Sequence, residues 1–392
     1  MSAKGMEVSI AASVAAKLAR VEAIAAYPIT PQTHIVEHLA DLVANGELDA
    51  AYINVESEHS AMSACVGSSA TGARTFTSTS SQGMELMHEI LFIASGMRLP
   101  IVMAAVNRAL SSPLSIWGDH SDVMAARDTG WIMVFCENGQ EVVDSIIMAF
   151  KIAEDRRVLL PMMVNLDGFS LSHVIEPIEF PSQEDVDRFL PPYAPLYTLH
   201  PDKPVTMGAF AMPELYTEAK YSQEMAIRNS KAVVKEVMDQ FSEEFGRKYS
   251  LVETYNIDKA DTVFMALGSI NENIKTAIDL LKDDGKELGL IVPRLFRPFP
   301  ADEIGEILKT KKKLAVFERV MPGGAMNGPL YNEIASLVIA NGLNIQLENY
   351  VFGLGGRDVE PEEIMDVFDQ VSTSSKITHA DNKNYSVIGV RS

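Results

Sequence analysis

Tyr27-Pro28-Ile29-Thr30-Pro31-Gln32-Thr33 decides how this chain is read. The run follows a short apolar stretch, residues 23–26, and precedes a helical pattern over residues 35–43. Each proline fixes its own φ and removes a backbone donor. Each also pushes the residue before it, Tyr27 or Thr30, toward extended geometry. The spacing predicts a stiff strand-to-helix loop that holds the Thr30 hydroxyl in a fixed direction. Loops that follow strands in an α/β sheet are where ligands usually bind. An ordinary proline-rich turn would carry the same residues, so their neighbours have to distinguish the two.

Outward from this loop, residues 1 to about 190 alternate apolar strands with helical patterns. Strand candidates are 23–26, 51–55, 75–79, 101–106, 132–135 and 161–164; helices are expected over 9–20, 31–43, 58–71, 83–95, 122–129 and 140–155. This rhythm predicts βα units and a mostly parallel sheet. Most of the strands are apolar throughout, as burial on both faces requires. Residues 176–251 break the rhythm: five prolines between Pro191 and Pro204 lead into a long charged helix over 214–244. That stretch reads as a connector which is functional or packs on a partner. From Tyr255 the α/β pattern returns, with strands at 262–267, 288–293, 314–317 and 345–351 and a helix at 271–283. The division expected is 1–190, a connector 191–254, a second domain 255–371 and a polar tail 372–392, ordered only if it lies on a neighbour.

Bulk composition narrows the function. A chain of 392 residues with 47% hydrophobic and 22% charged residues is an ordinary globular protein, too long for one core. Its net charge of −20 disfavours nucleic acid and anionic membranes. Residues 309–313 are its only dense basic run, expected to cap the end of a helix. No apolar run approaches the ~20 residues that span a bilayer, and residues 1–7 hold no apolar signal core. The expectation is a cytoplasmic protein. Its two cysteines, Cys65 and Cys136, are too few for an iron–sulfur cluster, which takes about four. Both read as buried thiols, so any electron carriers belong to other chains.

Several side chains could carry chemistry. Glu58 opens a helix lined with Ala61, Ala64, Cys65 and Ser68, small enough to admit a flat ring, although an acid there also suits the helix dipole. Arg108 follows an apolar strand, at the edge where ligands sit, and a guanidinium matches a planar carboxylate. Trp117-Gly118-Asp119-His120-Ser121-Asp122 invites a metal reading, but no second ligand cluster completes one, and Asp122 could cap a helix. His88-Glu89 lacks the second histidine of a zinc motif; Met84, Met87 and Met97 around it read as core filler. Gln82-Gly83 could offer backbone groups to a ligand, and Gly353–Gly356 allows close backbone approach. Neither a phosphate-binding P-loop nor a GxGxxG run is present.

Taken together, residues 27–33, Val55-Glu56-Ser57-Glu58-His59-Ser60-Ala61, Asn107-Arg108-Ala109-Leu110 and the 114–122 segment resemble the α subunit of the thiamine-diphosphate-dependent 2-oxoacid:ferredoxin oxidoreductases, most closely pyruvate:ferredoxin oxidoreductase. The resemblance extends to Arg294-Leu295-Phe296-Arg297-Pro298-Phe299 and Gly353-Leu354-Gly355-Gly356. It implies an α/β fold: a thiamine-diphosphate-binding, pyrimidine-type parallel-sheet domain followed by a transketolase C-terminal-like domain. It assigns Glu58 to N1′ of the cofactor's aminopyrimidine, with Pro28, Ile29 and Thr30 beside the cofactor, and Thr30 and Arg108 to the substrate carboxylate. Glu56 takes another contact. The Gly-Asp-Gly…Asn motif that holds magnesium and diphosphate in this family is absent, so a β subunit would supply it. Mg²⁺ and [4Fe–4S] clusters would lie on β-, γ- and δ-type partner subunits, with coenzyme A as co-substrate and ferredoxin as acceptor. The acidic surface argues against ferredoxin docking directly on this chain. The implied activity is reversible oxidative decarboxylation of pyruvate to acetyl-coenzyme A and carbon dioxide. A subunit acting on 2-oxoisovalerate or 2-oxoglutarate, or a non-catalytic scaffold, are the alternatives; bulky Ile116 and Trp117 favour the smaller acid.

Overall fold

The computed structural model describes residues 3–373 and 384–391. In chain order, β1 (Lys4–Glu7), α1 (Val8–Leu18), β2 (Ala23–Ala25), α2 (Thr33–Ala44), β3 (Ala51–Ile53), α3 (Glu58–Ala70) and β4 (Thr75–Thr79) open the chain. They are followed by α4 (Ser81–Leu86), α5 (His88–Gly96), β5 (Val102–Asn107), α6 (Ser121–Ala125), β6 (Ile132–Phe135), α7 (Gly139–Ala153) and β7 (Met162–Asp167). Next come β8 (Ile175–Ile178), α8 (Gln183–Phe189) and the long α9 (Pro213–Phe245). The second half holds β9 (Val252–Tyr255), β10 (Thr262–Met265), α10 (Ile270–Asp283), β11 (Leu288–Pro293), β12 (Leu295–Arg297), α11 (Ala301–Leu308) and β13 (Lys313–Glu318). It closes with α12 (Pro329–Ala340), β14 (Gln346–Val351), α13 (Pro361–Thr373) and β15 (Ser386–Val387).

Two α/β sheets result. The first has seven strands in the order β12-β6-β7-β5-β4-β2-β3, parallel except for the β12–β6 pair. The second orders β15-β14-β13-β10-β11-β9, with β9 alone antiparallel. β5 and β7 are buried along their whole length, and their first parts, residues 102–106 and 162–164, read as apolar runs before Asn107 and Asn165. Thirteen residues of α7 are buried because it lies beneath α1 and α9. Val233, Val234, Val237 and Phe241 of α9 enter the same core, so the connector helix packs on its own chain. A second core takes Met103, Met133 and Met163 from the first sheet and Val263, Ile291 and Val316 from the second, joining the two.

Several sequence expectations need correction. The single helix expected over 83–95 is two, α4 and α5, which meet at Met87 (φ −91°, ψ −1°), and the first starts early, at Ser81, whose φ is 47°. β12 crosses back to the first sheet, where buried Arg294 is anchored by Glu141 and Glu253 at 2.7 Å each. Lys311 does not merely cap a helix: its ammonium donates to the carbonyls of Ile257 and Ala260 at 2.5 and 3.0 Å. Of the 372–392 tail, 374–383 and 392 lie outside the described residues, while β15 pairs in parallel with β14. Among the described residues no helix is long and apolar enough to cross a membrane.

Candidate active site

From β2 the chain moves outward to β3, then crosses back to β4 on the other side of β2. This reversal leaves a crevice at the carboxyl ends of β2 and β4, the place where open α/β sheets bind ligands. Thr30, Glu58, the 80–83 loop and Arg108 follow β2, β3, β4 and β5 respectively. Gln32, fully buried, fixes the first loop: its amide donates to Ser78 O and Ser78 Oγ at 2.8 Å, and its Oε1 accepts from Ile29 N at 3.2 Å. Pro28 and Thr30 are exposed and Ile29 half-buried. The Thr30 carbonyl accepts from Arg108 Nη1 at 2.8 Å. Its hydroxyl has no partner among the described residues.

Ser57 caps α3 by accepting from Ser60 N at 3.2 Å. That cap sets Glu58 in the first turn, 7% exposed, whereas Glu56 is exposed and accepts from Ser60 Oγ at 2.5 Å. Among the described residues nothing hydrogen-bonds the Glu58 carboxylate. Gly83 lies directly beneath it: a Cβ there would come within 2.7 Å of Glu58 Oε1 and 2.5 Å of Thr79 Oγ1. Thr79 Oγ1 beside Gly83 is buried without a partner, as are Gln82 Nε2 in α4 and Asn107 Oδ1 at the end of β5. Buried polar atoms are normally paired, so such a group at one sheet edge suits a polar, flat ligand. Thr79 and Asn107 were not signalled by the sequence, because a polar strand end looks the same whether or not it is satisfied.

Arg108 is 6% exposed. Its Nε donates to Ser115 O at 2.8 Å, and among the described residues no carboxylate pairs with its guanidinium. Burial lowers its pKa, with the Asp122 charge acting the other way. Glu58 and Arg108 share no hydrogen bond; the 80–83 loop lies between them. Asp122 is not an N-cap but a buried anchor, its carboxyl pushed up to about 7 by burial. The rest of its segment ties the two sheets together. His120 Nε2 meets Asp167 Oδ1 at 2.7 Å, His120 N donates to Arg319 O at 2.8 Å, and Gly356 N donates to Gly118 O at 2.8 Å. A Cβ on Gly356, at φ +76°, would come within 2.6 Å of Trp117 Cβ. The Gly353–Gly356 turn is therefore a docking contact as well as a turn.

Ile116 and Trp117 are 41% and 50% exposed in this chain taken alone. Cavities of about 690, 310 and 380 Å³ lie at Arg297–Glu333, at Ser269–Arg357 and at Met97–Tyr197, away from Glu58 and Arg108. Triads of possible metal ligands occur at Glu7, His34, His173 and at Glu137, Glu141, Glu253, both off this crevice. In them Glu7 is engaged by His34 at 2.6 Å and Glu137 by Lys275 at 2.6 Å. Cys65 is buried and pushed up to about 12 by desolvation, an inert thiol.

Likeness to known proteins gives the class to which this α/β fold belongs. Residues 14–239 match the family described as pyruvate flavodoxin/ferredoxin oxidoreductase, thiamine diphosphate-binding, and residues 260–364 match pyruvate:ferredoxin oxidoreductase core domain II. The chain belongs to the pyruvate flavodoxin/ferredoxin oxidoreductase family. It is 53% identical over 364 residues, 92% of each chain, to pyruvate synthase subunit PorA of Methanocaldococcus jannaschii. It is 48% identical to ketoisovalerate oxidoreductase subunit VorA of Pyrococcus horikoshii, over 90% of both chains. Among solved structures it resembles the 2-oxoglutarate:ferredoxin oxidoreductase of Magnetococcus marinus, with a TM-score of 0.72 at 20% identity. That match covers 94% of this chain and 65% of the longer one.

Proposed function

We propose that this chain is the α subunit of a pyruvate:ferredoxin oxidoreductase and that Thr30, Glu58 and Arg108 are its share of an active site completed by a β subunit. The observation that supports this reading most is a buried carboxylate, Glu58, and a buried guanidinium, Arg108, neither paired with an opposite charge among the described residues and each following a strand of the same sheet. The unpartnered Thr79 Oγ1 beside Gly83, where no Cβ stands between it and Glu58, fits the pyrimidine end of thiamine diphosphate.

When bound, that cofactor supplies the electron sink that lets a 2-oxoacid lose carbon dioxide. Glu58 would hydrogen-bond N1′ of its aminopyrimidine and hold the proton there, with Pro28 and Ile29 beside the ring. Arg108 would take the substrate carboxylate, with the Thr30 hydroxyl as a second donor. For each pyruvate and coenzyme A consumed, one acetyl-coenzyme A, one carbon dioxide and one proton form, and two electrons leave singly to two ferredoxins. With two cysteines in the chain, the [4Fe–4S] clusters belong to β-, γ- and δ-type partners, and Mg²⁺ with the diphosphate to the β subunit. The complex works in the cytoplasm. The cofactor site falls in residues 1–190, the connector is 191–254 and the second domain 255–371.

Relatives at 53% and 48% identity bear names for pyruvate and for ketoisovalerate. The 53% relative is a pyruvate synthase subunit, and pyruvate is the substrate we propose. The test is to purify the complex through this chain, identify its subunits, assay iron and sulfide, and compare kcat/KM for pyruvate and 2-oxoisovalerate with ferredoxin as acceptor. A colourless, inactive isolated chain and a pyruvate-preferring complex are expected. Turnover by the chain alone, or preference for the branched acid, overturns the proposal.

A further inference from the structure

We propose that Asp122 is a positioning residue for substrate binding: it locks the backbone of Arg108 to that of Ser81 and so fixes where the guanidinium is held. The inference rests on the reading in which Arg108 takes the 2-oxoacid carboxylate.

Asp122 is 1% exposed. Its Oδ2 accepts from Arg108 N at 3.0 Å and from Ser81 N at 2.9 Å, and its Oδ1 accepts from Val123 N at 2.7 Å. These amides come from three segments: the residue after β5, the first residue of α4 and the first turn of α6. Ser81 needs this support. At φ 47° it occupies the left-handed region, which a non-glycine residue holds only when its surroundings fix it. Its hydroxyl donates to Ala109 O at 2.6 Å, and Ser80 Oγ donates to Val106 O. The loops after β4 and β5 are thus stitched together, with Asp122 as the buried pin. Two residues past Ser81 is Gly83, in contact distance of Glu58 for any added Cβ. One bond from the Arg108 amide begins the side chain that reaches the Thr30 carbonyl. A carboxylate suits this place because it has acceptors on both sides. An asparagine amide oxygen could serve Ser81 and Arg108 only by turning its NH₂ toward the Val123 N–H.

A residue that merely starts α6 would cost the same in any background. A residue that acts through Arg108 would not, and a double-mutant cycle separates the two. In the assembled complex, Asp122→Asn is expected to lower kcat/KM for pyruvate about tenfold or more, mainly through KM, since a misplaced binding group weakens productive contact. In an Arg108→Ala background the same change is expected to cost less than about twofold. Equal losses in both backgrounds, or a loss under about threefold in the wild-type background, overturn the proposal while leaving the Arg108 assignment standing. An Arg108→Ala enzyme within about threefold of wild type overturns the substrate-site reading and this inference with it. If Asp122→Asn does not assemble, Asp122→Glu, which keeps the charge one methylene further out, is run through the same cycle and judged by the same outcomes.

Discussion

β5 and β7 lie side by side, with Asn107 opposite Asp167, and both strands end in a buried charge that is treated in opposite ways. At β7, Asp167 Oδ1 takes His120 at 2.7 Å and Arg319 at 2.9 Å, while Oδ2 takes the amide and hydroxyl of Ser269 at 2.7 and 2.6 Å. Both oxygens are engaged, and three of the four donors, Arg319 and the amide and hydroxyl of Ser269, join the first sheet to the second. At β5, Arg108 reaches only two backbone carbonyls, and across the crevice Glu58 reaches nothing among the described residues. Burying a charge without its counter-charge costs several kcal/mol. One strand end is saturated and its neighbour left open, which is the pattern expected if Arg108 and Glu58 are the binding groups proposed above. The distinction between framework and site is therefore not burial or charge, which Asp167 and Arg108 share, but whether the pairing is complete.

The largest expected effect is at the open side. Glu58→Gln keeps the volume over Gly83 but cannot hold the N1′ proton, and kcat should fall by about 10³ or more, within the range of general acid–base contributions. Exchange of the thiazolium C2 hydrogen in the assembled complex measures the affected proton transfer; unchanged exchange would move the role to another acid, Glu56 first. On the closed side, Asp167→Asn should leave the fold short of a buried counter-charge for Arg319 and cost about 3–5 kcal/mol of stability, read by chemical denaturation. Burial opposes ionisation of Asp167, but Arg319 and His120 outweigh it and hold its pKa far below the usual carboxylate range. Its folded pKa is depressed, so its contribution is present above the unfolded value near ~4 and is lost as pH falls further. The variant lacks that dependence. The two proteins should converge in stability in acid, and a gap that widens below about pH 4 would contradict the assignment.

Arg108→Ala tests whether the open side is open for a carboxylate. Losing the charged partner should cost about 2–5 kcal/mol of transition-state binding, roughly 30- to 4,000-fold in kcat/KM, with cofactor affinity little changed. Steady-state kinetics on pyruvate and 2-oxobutyrate decide it. A change below about threefold would mean that another residue holds the carboxylate.

Much of the framework was legible in the sequence. Strands 75–79, 132–135 and 288–293 agree to the residue; the last two are apolar runs, and 75–79 reads as a strand through its β-branched threonines around Phe76. Edge and crossing strands were not legible. β1, β8, β9 and β12 are short or partly exposed and take their partners from distant segments, which no local pattern encodes. The crevice divides the same way. Thr30, Glu58 and Arg108 stand in loops that follow strands, so their positions could be read. That Asp122 pins Arg108 rather than capping a helix, or that Gly83 forms the floor under Glu58, depends on contacts between segments and needed the structure.

The smallest effect belongs to Thr30, and it sharpens the comparison most finely. Its carbonyl is already engaged by Arg108 at 2.8 Å, so the loop is fixed through the backbone and not through the side chain. Thr30→Val keeps the β-branched shape and that carbonyl bond, and removes only the free hydroxyl. If the hydroxyl is a spare donor to a bound carboxylate, the loss should be about 1.5 kcal/mol, roughly tenfold in kcat/KM for pyruvate. Thermal stability should be unchanged, because no contact within the chain is broken. The reverse pattern, a lower melting temperature with unaltered kcat/KM, would place Thr30 with Asp167 among the framework groups. A loss exceeding that of Arg108→Ala would make the hydroxyl, not the guanidinium, the principal anchor of the substrate.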